Sequence, residues 1–302
     1  MSDLLRRLPD GGIDAHQHYW EAHRRFPIRG NWWSGSVSYS WVEAGVPELG
    51  RDCMPDDLEP QLRAGGVGSS VVVQAIHADG ETRWLLELAS ARESIAGVVG
   101  WVDLTQGEEH VTRDLEAIAH PKLVGIRHMA PFEADAGWLV RHDVVTGLKA
   151  VQESGLAFDL LLTPRELTFV PELSERLPDL NMVVDHVAKP PIVGGALEPW
   201  ASMIRAAAEN PRIFCKLSGM VTEADRRSWT ATDLRPYIEV VLDAFGPRRC
   251  MYGSDWPVCT LAGSYERVQG ALAENLDLIL AGDTAAMAAI KGEVAARFYG
   301  LG

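Results

Sequence analysis

Gly12-Ile13-Asp14-Ala15-His16-Gln17-His18 is the stretch on which the fold turns. An apolar, strand-like run ends in His-x-His, and residues two apart on a strand face the same side. His16 and His18 would therefore present two imidazoles together, an arrangement that suits a divalent metal. Two architectures compete for a chain of alternating strands and helices: an open, doubly wound sheet and a closed barrel. The open sheet normally carries a glycine-rich phosphate turn after its first strand. Histidines stand at that place here. The barrel is the better reading, and barrels collect their active sites at the C-terminal ends of the strands.

Working outward, the same unit recurs: a short β-branched apolar run, a polar tip, then a helical stretch. Strands are expected at 12–16, 70–74, 96–102, 123–127, 157–162, 181–184, 213–217 and 250–253. Amphipathic segments lie near 56–64, 81–93, 108–119, 138–153, 165–177, 197–209, 231–245 and 284–298. Helix-start chemistry marks several of them, as at Asp56, Thr163-Pro164 and Thr232-Asp233. Pro121, Pro178, Pro211 and Pro247 punctuate the chain just before strands four, six, seven and eight. Nearly continuous apolar strands imply parallel strands buried on both faces. Eight strands alternating with eight helices make one domain over residues 1–302, a (β/α)8 or TIM barrel.

One connection is abnormal. Residues 19–54 far exceed the usual βα loop and carry Trp20, Phe26, Trp32, Trp33, Tyr39 and Trp41. They form either a packed Ω-loop, which could serve as a subunit contact in a homo-oligomer, or an aromatic wall over the barrel mouth where sugar faces stack.

Composition narrows the classes. At 302 residues and 47% hydrophobic content the chain can bury a sizeable core. A formal net charge of −14 argues against nucleic acid and anionic membranes, which call for basic patches. The first ten residues lack the apolar core of a secretory signal, and no run is long enough to span a bilayer. Cys53, Cys215, Cys250 and Cys259 show no C-x-x-C spacing; free thiols in a reducing cytoplasm are the plain reading.

The strand ends hold the chemistry. Strand one ends in His16 and His18, strand two in Gln74 and His77, strand three in Trp101 and Asp103, strand four in Arg127 and His128. Asp159 lies on strand five. Strand six ends in Asp185-His186, followed by Lys189. Strand seven carries Lys216 and Ser218, strand eight Ser254-Asp255-Trp256. Titratable groups at nearly every strand end are not what a structural barrel needs, and they point to an enzyme. Asp255 leaves the last strand at a glycine-preceded bend; it either caps the next turn or serves as metal ligand and proton carrier. His186 is either a hydrogen-bonded core histidine or a site residue, and its flanking Asp185 and Lys189 favour the site. Arg127 and His128 alternate in facing, so one of them should enter the mouth. Arg127 would suit a carbonyl or carboxylate oxygen, or else an ion pair. Lys216 and Asp159 sit in apolar runs and could neutralise one another across the barrel.

Taken together, Ile13-Asp14-Ala15-His16-Gln17-His18-Tyr19-Trp20, Gly125-Ile126-Arg127-His128, Asp185-His186-Val187-Ala188-Lys189-Pro190, Cys215-Lys216-Leu217-Ser218-Gly219 and Tyr252-Gly253-Ser254-Asp255-Trp256-Pro257 resemble the amidohydrolase superfamily. They are most similar to its amidohydrolase 2 branch and, within that, to the sugar lactonases of the L-fuconolactonase and L-rhamnonolactonase group. The segments 100–104 and 221–225 look like that group as well. The resemblance implies a barrel with one divalent metal, zinc, held by His16, His18 and Asp255, with His186 near the metal or the substrate. Two departures matter. Arg127-His128 stands where binuclear members place a carboxylated lysine, and strand five offers Asp159 where the decarboxylases of the branch keep a histidine. Both gaps favour a mononuclear or weakly held metal, even a dispensable one.

The expected reaction is hydrolysis of a sugar lactone to the aldonate. Water deprotonated by Asp255 attacks a carbonyl polarised by the metal, Arg127 or His186, and Asp255 returns the proton to the ring oxygen. Trp20, Gln74, Trp101, His128, Asp159, Lys216 and Trp256 are the expected substrate contacts. The rivals are a metal-dependent decarboxylase or hydratase of the same branch, against which the missing strand-five histidine counts, and a non-catalytic carbohydrate-binding barrel, which would need no general base.

Overall fold

The computed structural model describes residues 11–27 and 36–301. The first ten residues, Trp32 and Trp33 lie outside the described residues. Among the described residues ten strands occur in chain order: β1 (Gly12–Gln17), β2 (Arg25–Pro27), β3 (Ser36–Ser38), β4 (Val67–Val73), β5 (Ile95–Gly100), β6 (Leu123–Met129), β7 (Ala157–Leu161), β8 (Met182–Val184), β9 (Ile213–Leu217) and β10 (Cys250–Tyr252). β1 and β4 to β10 form one parallel sheet in sequential order. β2 and β3 make a separate antiparallel ribbon inside the long first connection.

The ring closes between β1 and β10, through the residues that follow the strands. The Asp255 amide donates to the His16 carbonyl at 2.8 Å, and the His18 amide to the Trp256 carbonyl at 2.7 Å. Below them the Asp14 carboxylate accepts from the amides of Ser254 (2.8 Å) and His16 (3.2 Å). The barrel's seam is thus sewn by the first and last motifs of the chain. All eight expected strands are present, each shifted by at most three residues at an end.

Inside the barrel, Ala15, Val71, Val73, Val99, Ala157, Val183 and Met251 pack as one apolar cluster, small but for Met251. The C-terminal helical stretch, from Thr284–Ala288 through a π-turn to Val294–Tyr299, covers the lower end and places Val294, Ala295 and Tyr299 in the same cluster. A larger apolar cluster lies between strands and surrounding helices. Two differences from the expected helices have local causes. The segment expected at 165–177 divides into Pro164–Leu167 and Val170–Arg176, the second opening on Pro171, which cannot donate into a preceding turn. A helix at Tyr265–Ile279 was not expected. Its buried face carries Gln269 and Asn275, bonded to the carbonyls of Gly65 and Ala231, and these polar residues break the apolar stripe by which a helix is recognised.

No helix among the described residues is long and apolar enough to cross a membrane. All four cysteines are buried free thiols.

Candidate active site

The upper ends of the strands converge as the sequence suggests, and the seam sets the first contacts. His18 Nδ1 lies 2.7 Å from the Val73 carbonyl. A carbonyl only accepts, so Nδ1 carries the proton and the Nε2 lone pair faces the mouth. That Nε2 is 3.3 Å from His16 Nε2 and 3.4 Å from Asp255 Oδ1. His186 Nε2 approaches the same carboxylate oxygen at 3.8 Å, while its Nδ1 is 2.9 Å from Ser218 Oγ. A fixed imidazole lone pair set against a carboxylate, with two further imidazoles beside it, is a donor set that a cation satisfies. His16, His186 and Asp255 have ligand-like spacing, and His18 Nε2 adjoins two of them, so the four fit a divalent ion with nitrogen and oxygen ligands.

Protonation states agree. Burial pushes both His16 and His186 well below the usual histidine range, although Asp185 and Asp255 respectively oppose it. Both rings are thus neutral donors at pH 7. Burial works upward on Asp255, yet the adjacent His186 and His18 hold its carboxyl below the usual aspartate value. It is an anion, ready to ligate or to accept a proton.

Two glycines let the rings in. A Cβ on Gly219, at φ +62°, would stand 2.5 Å from His186 Nδ1, and one on Gly253 would stand 2.8 Å from His16 Cβ. His186 itself opens a left-handed turn: His186, Val187, Ala188 and Lys189 have φ of 53°, 47°, 59° and 49°. Such backbone costs about 1–2 kcal/mol per residue for L-amino acids. The turn is held by the Trp200 indole, which donates to the Val187 carbonyl at 2.7 Å. Asp255 is also left-handed, at φ 58°. Strain of this kind gathers where side chains must be aimed against backbone preference.

Beneath the histidines lies a charge cluster without solvent. Lys216 Nζ contacts Asp159 Oδ2 at 2.5 Å and Asp185 Oδ1 at 3.0 Å. Arg127 Nη1 is 3.1 Å from Asp185 Oδ2 and 3.3 Å from His16 Nε2, and Nη2 donates to the Gln74 carbonyl. Tyr299, from the C-terminal helix, donates to Asp159. Two cations balance two carboxylates, so no net charge is buried. Burial raises Asp159, while Asp185 is held well below its ordinary value, against burial, by Lys216, His16 and Arg127. His16 Nδ1 lies 3.3 Å from Asp185 Oδ1.

Of the expected substrate contacts, Trp20, Gln74, Asp159, Lys216 and Trp256 are enclosed by protein, each at most 1% exposed. Asp159 and Lys216 pair with each other, as ion-pair energetics in a dry interior favours. Trp20 donates to the carbonyls of Arg51 and Leu49 and packs with Tyr39 and Trp41, and its ring stacks beside His18. The described part of the 19–54 connection is therefore a packed aromatic unit. Trp41 ties it to the Ala75 carbonyl at the end of β4.

His128 faces away from the histidine cluster, since Arg127 takes the inward position. It sits in a ladder of rings with His77 (centroids 4.0 Å apart) and Trp138 (3.8 Å), and Trp101 stacks on His77 at 5.5 Å. His77, His128 and Glu133 form a second group with ligand-like spacing. Their lone pairs are already engaged. Trp101 Nε1 donates to His128 Nδ1, so His128 Nε2 donates to Glu133 at 2.9 Å, and His77 Nε2 accepts from the Met129 amide. The ladder is an aromatic wall, not a metal centre.

Sequence reasoning did not assign roles to Ser218, Gly219, Val73 or Tyr299. Ser218 and Gly219 stood inside a quoted motif, but a carbonyl acceptor and a tyrosine arriving from a distant helix leave no local signal.

Known proteins resemble this chain over most of its length. The L-fucono-1,5-lactonase of Burkholderia multivorans is 38% identical over 299 residues, covering 96% of each chain. The L-fucono-1,5-lactonase of Burkholderia ambifaria is 39% identical over 254 residues, covering 84% of this chain and 82% of its own. The crystal structure of an amidohydrolase from Burkholderia multivorans with bound zinc superposes with a TM-score of 0.85 at 37% identity, covering 97% of this chain and all of that one. The amidohydrolase family model matches residues 13–301, and this chain belongs to that family of enzymes.

Proposed function

We propose that the protein hydrolyses a sugar lactone of the L-fucono-lactone type to its aldonate. The observation that carries this is the Asp255 carboxylate, anionic and set within 3.4–3.8 Å of two imidazole Nε2 atoms at the barrel mouth. The two Burkholderia lactonases, similar over most of their length, support the same chemistry. The bound zinc of the structural relative supports zinc as the ion.

When bound by His16, His18 and Asp255, a divalent ion supplies Lewis acidity at the carbonyl and lowers the cost of deprotonating water. Within the chain, Asp255 takes the proton of the attacking water. His186 flanks the carbonyl oxygen as it gains charge, and Arg127 acts from beneath through Asp185 and His16. The C1–ring-oxygen bond then breaks, and protonated Asp255 returns its proton to the leaving alkoxide. Asp185, Lys216 and Asp159 act through His16 by fixing its ring. Trp101 and His128 form the aromatic wall beside the substrate. A lactone is an activated ester, so a carboxylate that is a weak base suffices.

A panel of L-fucono-, L-galactono- and L-rhamnono-lactones assayed by acid release tests the reading. Turnover of at least one is expected. Absence of turnover, with decarboxylation of an unsaturated carboxylate instead, would overturn it.

A further inference from the structure

Outside the metal-facing groups, one charged pair stands at the mouth with no part in the mechanism above. Lys189 Nζ is 2.6 Å from Glu223 Oε1, and the side chains are 27% and 26% exposed. A pair on an open surface would be worth little, but this one is positioned from both sides. Lys189 ends the left-handed turn that His186 opens, and its amide donates to the His186 carbonyl at 2.8 Å. Glu223 ends the short helix Met220–Glu223, which starts at Gly219, the residue packed against the His186 ring. Thr222 Oγ1 closes that helix on the Gly219 carbonyl at 2.9 Å. Both charges are therefore carried on segments that adjoin His186, one continuing from it and the other starting at the glycine packed against its ring. The Lys189 charge is also felt at both His186 and Asp255.

We propose that Lys189 and Glu223 form a hydroxyl-reading subsite that selects polyhydroxylated lactones over plain ones. A sugar hydroxyl is at once donor and acceptor, and an ammonium beside a carboxylate offers it both partners. A lactone whose carbonyl lies between His186 and Asp255 turns its substituted ring carbons outward to the rim, where this pair stands half-buried. A site built to bond a hydroxyl rejects an analogue lacking it, because its own polar groups are then left unpaired. Keeping four consecutive L-residues in left-handed backbone fits this role, since it fixes the distance between the reacting end of the substrate and the reading end. The inference rests on the lactonase reading.

The test compares L-fucono-1,5-lactone with unsubstituted δ-valerolactone in the wild type and in Lys189→Met and Glu223→Gln. Each substrate is read as kcat/KM, or as a competitive Ki where turnover is slow. Each variant is expected to lose about tenfold or more of its preference for the sugar lactone, mostly in KM, and the double variant to lose little beyond the worse single one. Lys189→Arg should recover part of the preference. Equal losses on both substrates would make the pair a mere clamp on the His186 turn and overturn the proposal, as would unchanged preference. A wild type that turns over no sugar lactone defeats the lactonase reading as well; a wild type that does so, with unselective variants, defeats this inference alone.

Discussion

Asp185 Oδ1 stands 3.3 Å from His16 Nδ1, and Lys216 Nζ reaches the same nitrogen at 3.1 Å, so the buried charge cluster holds the ring from below. The opposite nitrogen, Nε2, lies 3.3 Å from His18 Nε2 on the metal-facing side. Second-layer carboxylates of this kind orient the ring and raise its basicity. Asp185→Asn should weaken zinc affinity by about 10–100-fold, measured by competition with a chromogenic chelator. Unaltered affinity would show that the contact does not orient the ring for the metal.

Asp255→Asn should lower lactone hydrolysis by about 10²–10⁴-fold. Asparagine tolerates left-handed backbone well, so the φ of 58° is no obstacle to folding. The melting temperature should stay within a few degrees (~3 °C) of wild type when each is compared without added metal. Retained activity would remove Asp255 as proton carrier.

Lys216 is buried between Asp159 and Asp185. Lys216→Met leaves two carboxylates facing one guanidinium, and a loss of about 3–5 kcal/mol is expected from denaturant unfolding. Adding Asp159→Leu should recover a substantial part, because it removes the excess charge together with its desolvation cost. A double variant as unstable as the sum of the two singles would show that the cluster is not energetically coupled.

Acid stability should be governed in part by the ring ladder. Burial, with each other's proximity, lowers His77 to about 3, and burial lowers His128 to about 3. Folded, they bind fewer protons than unfolded, where histidine titrates near its ordinary value. Their contribution is present above about pH 6.5 and is lost as pH falls toward 3. Melting temperature should decline over that window, and His77→Gln should decline less steeply. An identical slope would assign the acid sensitivity to other groups.

Much of this was legible in the sequence, for definite reasons. Parallel strands buried on both faces read as apolar runs, and their polar tips stand out: His16, His18, Asp185-His186 and Asp255 all fall at strand ends. The pairing of Lys216 with Asp159 could be named as an alternative, because two buried charges in apolar strands require partners. The left-handed turn could not be read. His186-Val187-Ala188-Lys189 contains a β-branched residue and no glycine or asparagine, so local preference points elsewhere, and the Trp200 bond, the Lys189 amide bonded to the His186 carbonyl and packing hold it. Tyr299 was equally silent, since its role depends on a helix that returns under the barrel to Asp159.

The seam between β1 and β10 gives the molecule a built-in reporter of assembly. Ser254 meets Asp14, and Asp255 meets His16, across some 240 residues of chain. A gene cut in any loop between 130 and 240 would yield two fragments, one carrying His16 and His18 and the other Asp255, with His186 on one side or the other of the cut. Neither would hold the full donor set. Zinc uptake by the mixed fragments would then announce that the ring had closed, making the ligand cluster a sensor for reassembly of a split enzyme.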